Sequence, residues 1–293
     1  MSETPTTVWS MTRTPTSDMS RRQRHGRRFL TVFCAALLLA GCGSPPTARP
    51  PASPAAQGPW TGVLAQDRAV WSAEPGIDLL TGPGVAIRAY QESYFVASLM
   101  GSEEYLYPGF AHAVAPNAPS TAPLSAQGRW PSASHPAPHP MVGNERWHIL
   151  RIDTSGQDLT AVVCDWGLYT RAFDLGDGNY GYIGETHGAG VDALWISMTA
   201  PAAAPTPPLP PQKGPALAPV DDVFGGWRIN GFIEAFGGVA TPEWPSAAAD
   251  VGACAAKAPV PLDRRTALRN GNHPRSDFPT LPAYPGWPAA SSY

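Results

Sequence analysis

The chain has 293 residues, with 20 Lys plus Arg against 23 Asp plus Glu, and only four cysteines beside 29 glycines and 35 prolines. Setting aside residues 1–41 removes six arginines and two acids, so the remaining 252 residues carry 14 basic and 21 acidic side chains, a net charge near −7. That balance argues against nucleic acid and anionic headgroups as partners of the folded part, because both are recognised through a basic patch.

The first pattern in chain order is an arginine cluster, Arg21, Arg22, Arg24, Arg27 and Arg28, directly ahead of the apolar run Phe29 to Ala40. A run of about twelve apolar residues falls short of the roughly twenty that span a bilayer. It therefore reads as the n-region and h-region of a cleaved secretory signal. Met11 and Met19 offer alternative starts, and Arg27-Arg28 leaves twin-arginine export open beside the ordinary secretory route. The run ends in Leu39-Ala40-Gly41-Cys42, which resembles the bacterial lipobox. The resemblance implies cleavage before Cys42 and a diacylglycerol thioether, with palmitate-type acylation, on that cysteine. Two or more acyl chains hold a protein stably at a membrane where one does not. The expected location is the extracytoplasmic face of the cell membrane.

Residues 42–59 are rich in proline and poor in large apolar side chains, an extended tether. A single α+β domain is expected over 60–239. Its clearest helix runs from about Pro83 to Met100, with Thr81 as N-cap or just before it and Gly101 as the stop. Ile87, Tyr90, Tyr94 and Ala97 or Ser98 form the apolar stripe, which leaves Arg88, Gln91 and Glu92 on a solvated face. An irregular insertion, 115–142, leads to strands at 146–153 and 159–168 that form a hairpin, and to a second expected pair at 180–186 and 191–199. A Pro-rich insertion, 200–219, precedes a last strand at 226–232. One long helix on a curved antiparallel sheet, in a cone-like or NTF2-like arrangement, fits this order. Residues 240–293 read as an extended tail of Pro, Gly and Ala with spaced aromatics, unable to build a core of its own and either wrapped over the domain or partly disordered.

Once Cys34 leaves with the signal and Cys42 is lipidated, Cys164 and Cys254 remain, and an exported setting favours a disulfide between them over two buried thiols. It would staple the tail to the sheet. Trp71 to Leu79, Arg88 to Ser93, Tyr107 to Phe110, Pro274 to Pro279 and Pro285 to Pro288 together resemble a family of mycobacterial exported lipoproteins of unknown function. The resemblance implies location and relatives and carries over no activity.

No nucleophile elbow, phosphate loop, paired-histidine zinc helix or spaced cysteine pair occurs in the sequence. Asp174-Leu175-Gly176-Asp177-Gly178-Asn179 is rich in oxygen ligands, but it lacks the EF-hand spacing and reads as a turn. The candidate pocket residues are Tyr90, Tyr94, His148, Asp165 and Glu185, which would line a cavity if the sheet curves into a cone. No catalytic residue, metal site or cofactor is assigned. The expectation is a lipid-anchored envelope protein with a non-enzymatic binding or accessory role toward another envelope protein. The alternatives are a pocket for a small apolar ligand, as in a carrier or sensor, and then a hydrolase or isomerase built on Asp165, His148 or Glu185.

Overall fold

The structure, a computed structural model, describes residues 58–183, 190–203, 207–235 and 240–290. The expected leader, Cys42 and Glu185 lie outside the described residues.

The fold is α+β, with a strongly curled sheet of half-barrel form. Strands β1 (Gln66–Ala73), β2 (Met141–Ser155), β3 (Asp158–Asp165), β4 (Arg171–Gly176), β5 (Asn179–Gly181), β6 (Asp192–Thr199) and β7 (Arg228–Ala235) make a seven-stranded sheet. The order is β5-β4-β2-β3-β6-β7, antiparallel throughout, and β1 runs parallel to β2 with Trp71 beside Trp147 and Ser72 beside His148. The hairpin expected around 154–158 is present, closing on Ser155 and Asp158. The second expected pair is corrected: β5 pairs with β4, and β6 with β3. Its partner β4 went unread because Arg171, Asp174 and a run into Gly176 mask the alternation.

In place of a single helix, α1 (Gly82–Met100) is joined by short turns α2 (Phe110–Ala113), α3 (Leu124–Gln127) and α4 (Gly167–Thr170), and by α5 (Ala247–Lys257) and α6 (Leu262–Arg269). The last two correct the expectation of an extended tail. Ala-rich 247–257 is good helix former, and Pro261 stands at the N-cap of α6. No helix among the described residues is long and apolar enough to cross a membrane.

Both faces of the sheet are covered. Alternation along each strand sends one set of side chains to the concave side and the other to the convex side. Trp147, Ile149, Val163, Leu194 and Ile196 meet α1 in one core, while Val162, Cys164, Ala193 and Ile233 meet Trp244, Cys254, Leu268 and Phe278 of the C-terminal segment in another. The disulfide Cys164–Cys254, with Cα atoms 5.3 Å apart, pins α5 to β3. The tail thus wraps over the domain: Trp244, Phe278 and Trp287 are buried, Tyr284 is exposed, and its backbone pairs with Ala69 and Trp71 along the free edge of β1.

Because α1 is covered by the sheet on one side and by the Pro-rich segment and tail on others, the expected solvated face is absent. Arg88, Gln91 and Glu92 are buried. Arg88 donates to the carbonyls of Leu79 (2.9 Å), Gln212 (3.0 Å) and Gly286 (2.7 Å), and its guanidinium lies 4.2 Å from the centre of the Trp287 ring. Glu92 accepts from Trp71 Nε1 (2.8 Å), Tyr107 Oη (2.9 Å) and Trp287 Nε1 (2.7 Å), and Trp60 Nε1 donates to Tyr107 Oη (2.7 Å). Burial raises the Glu92 carboxyl above its ordinary value, and Arg88 and the three donors pull it back. A buried charge persists only when paired and hydrogen-bonded, and here that pairing ties β1, α1 and the tail together.

Candidate functional site

The concave face carries a belt of charge at one level of the sheet. Asp67 of β1, Glu145 of β2, Asp165 of β3, Arg171 of β4, Asp192 of β6 and Glu234 of β7 each fall on an inward position. The registers Asp67 to Gly143, Gly143 to Arg171, Trp147 to Asp165 and Asp165 to Asp192 set them side by side. Gly143 makes this possible: at φ +110° it is in a region that favours glycine, and a Cβ there would run into the Thr170 carbonyl of the incoming chain.

One cation faces five carboxyl groups. Arg171 pairs with Glu145 through its Nε and lies 5.1 Å over the Phe95 ring of α1. Burial shifts three of these carboxyls, Glu145, Asp67 and Glu234, toward the protonated form. Burial drives Glu145 well above the usual carboxylate range, with the charges of Asp165 and Asp67 adding to the effect and Arg171 opposing it. Burial also raises Asp67 to about 6. Glu234 is pushed up to about 8, by burial first and then by the charges of Asp165 and Asp192. Among the described residues no group of three or more His, Cys, Asp or Glu side chains is arranged to hold a metal ion.

The belt reaches solvent at Glu234. There Tyr94, Leu124, Gln127, Gly128, Phe232, Ile233 and Glu234 line a cleft of about 390 Å³ between α1, α3 and β7. Its floor is aromatic: the Tyr94 and Phe232 rings stand 4.9 Å apart, and Tyr90 meets Phe232 edge-on at 5.6 Å. Burial, with the Glu234 charge adding to it, raises the Tyr94 hydroxyl to about 12, so the phenol keeps its proton as a donor. A more apolar cleft of about 240 Å³ lies at the start of α1, walled by Val85, Leu209, Phe224 and Trp227.

The five sequence-derived pocket residues do not converge. Tyr94 lines the Glu234 cleft and Asp165 stands in the belt behind it. Tyr90 is fully buried in the core, stacked 5.8 Å from Phe110, and donates to the Arg129 carbonyl. His148 is on the convex face, because Trp147 takes the inward position beside it. It contacts Ser72 and Glu74 and stacks on Trp166. Glu185 falls outside the described residues. Glu234 and Arg171 went unselected because strand parity was not carried through β4 and β7; alternation read from Phe232 places Glu234 on its face.

No protein-family model, curated protein or solved structure matches the chain.

Proposed function

We propose that the chain is an exported lipoprotein, tethered through lipid on Cys42 to the extracytoplasmic face of the cell membrane, whose folded part binds a small molecule or an envelope partner in the Glu234 cleft. The observation that supports this most is the chemistry of the cleft wall. Aromatic side chains, Tyr94 and Phe232, adjoin one carboxyl that holds its proton to about pH 8. A mostly apolar cleft with a few convergent polar groups and a perturbed acid is the usual form of a ligand site. The occupant has an apolar or aromatic body and one basic or hydrogen-bond-accepting group to meet Glu234. The curled half-barrel sheet with α1 packed against it supports reading the fold as cone-like, of the NTF2-like kind. The lipobox at Leu39 to Cys42 and the arginine-led apolar run before it support the anchor.

Intact mass analysis of the full chain, extracted in mild detergent from an actinobacterial host, tests both halves. The expected result is a lipid-sized increment absent from Cys42→Ala. A bound small molecule or partner should be lost from Glu234→Gln and Tyr94→Ala while those variants keep their tryptophan fluorescence. An unlipidated wild type that retains its leader overturns the anchor; an empty cleft, or a ligand kept equally by both variants, overturns the binding site.

A further inference from the structure

On the convex face, opposite the acidic belt, the parallel pairing of β1 and β2 sets Ser72 directly beside His148. Ser72 Oγ and His148 Nδ1 are 2.9 Å apart, and His148 Nε2 is 2.9 Å from Glu74 Oε1. We propose that Ser72, His148 and Glu74 form a nucleophilic acyl-hydrolase site, with Ser72 as the nucleophile, His148 as its general base and Glu74 as a positioning residue.

The proton arrangement follows from the partners. Glu74 also receives the Lys257 ammonium at 2.7 Å, and the hydrogen bonds from Lys257 and His148 hold its carboxyl below the ordinary value, so it is an ionised acceptor. An ionised acceptor at Nε2 places the ring proton there. Nδ1 is then left with its lone pair aimed at the Ser72 hydroxyl. This gives a serine, base and carboxylate in one line with the two ring nitrogens exchanged relative to the usual triad, in which Nε2 faces the serine and Nδ1–H the carboxylate. The ring is further fixed by stacking on Trp166, with centroids 5.2 Å apart at 15°. Lys257 sits three residues after Cys254 on α5, and Cys164, the other half of the disulfide, is the cross-strand neighbour of His148. The covalent staple thus holds the lysine end of the array against its histidine.

The chemistry balances with water as the second reactant. Ser72 Oγ bonds to an ester carbonyl carbon while its proton passes to His148 Nδ1. Collapse of the tetrahedral adduct breaks the bond to the leaving alkoxide, which takes that proton and departs as the alcohol. Water, deprotonated by the same nitrogen, then attacks the acyl-serine and releases the carboxylic acid and Ser72. The serine is exposed, whereas His148 is nearly buried. The substrate class is accordingly an ester presented from solvent.

This site is separate from the Glu234 cleft and does not rest on the binding reading. The test treats the full chain with p-nitrophenyl acetate and, in parallel, with a fluorophosphonate probe, and locates the adduct by peptide mass mapping. The expected adduct is on Ser72, absent from Ser72→Ala, and formed about a hundredfold or more slowly in His148→Gln. Glu74→Gln should slow the labelling and Glu74→Asp should restore part of it, a rescue by the shorter carboxylate that a purely structural hydrogen bond would not give. Labelling no faster at Ser72 than at other exposed serines, or a Glu74→Gln rate equal to that of the unaltered chain, overturns the proposal.

Discussion

At the scale of single residues the molecule is decided by Glu92, on which the Arg88 guanidinium one turn away and three donors from β1, the loop after α1 and the tail converge. Its Oε1 is 4.0 Å from Arg88 Nε, both side chains are buried, and Trp287 reaches it across 195 positions of sequence. Removing one partner of a buried charge pair leaves the other uncompensated, a loss of about 3 to 5 kcal/mol, whereas exposed pairs cost under about 1. Glu92→Ala should therefore lower unfolding stability by about that larger amount in urea titration at neutral pH. It should also loosen the tail, read as faster proteolysis within residues 280–290. A loss below about 1 kcal/mol would show that the donors find other acceptors and that Glu92 is not what closes the fold.

The secondary elements separate what sequence pattern reveals from what only packing reveals. Helix α1 and strands β2, β3, β6 and β7 announce themselves through apolar runs bounded by Gly, Pro or turn residues, and the Cys164–Cys254 pairing follows from counting the thiols left if the chain is read as exported. Local pattern did not reveal β1, whose inward Asp67 breaks the apolar alternation, or the burial of Arg88 and Glu92, whose partners include Gln212, Gly286 and Trp287, more than a hundred residues downstream. The same holds for the site. Tyr94 and Asp165 were identifiable as polar groups on periodic elements, but the role of Glu234 depends on four strands being in register. His148 was selected for the wrong face, because one residue of parity separates the concave side from the convex. Helix α5 shows how much an element with little core of its own owes to its staple. Its separation of 90 residues from Cys164 implies up to about 4 kcal/mol from loop closure. Replacing both cysteines with serine should cost a substantial part of this in a denaturant titration and expose Trp244 to solvent quenchers. A change under about 1 kcal/mol would mean that Trp244, Leu268 and Phe278 hold the segment unaided.

For the molecule as a whole, the belt of one arginine and five carboxyls makes stability a function of pH with an unusual sign. Asp67, at about 6 against 3.8, and Glu234, at about 8 against 4.5, bind protons more tightly folded than unfolded. The native state therefore holds more protons than the unfolded chain from about pH 4 to 8, and its stability falls as pH rises through that window. Glu74, Asp78 and Asp250 shift the other way, so they add stability above their ordinary values of 4.5, 3.8 and 3.8 and lose it in acid. Their contribution is complete by about pH 5 and cannot offset the later fall. Between about pH 6 and 8 the slope comes mainly from Glu234, with Glu145, also raised by burial, acting in the same direction, at most about 1.4 kcal/mol per pH unit for each proton. Urea midpoints measured at pH 5, 6, 7 and 8 should therefore decline, and Glu234→Gln, neutral throughout, should flatten the decline between 6 and 8 while leaving the value at pH 5 nearly unchanged. Midpoints that rise over this range, or a Glu234→Gln curve parallel to the wild type, would mean that Glu234 ionises freely and that the cleft presents an anion in place of the neutral acid on which its ligand chemistry depends.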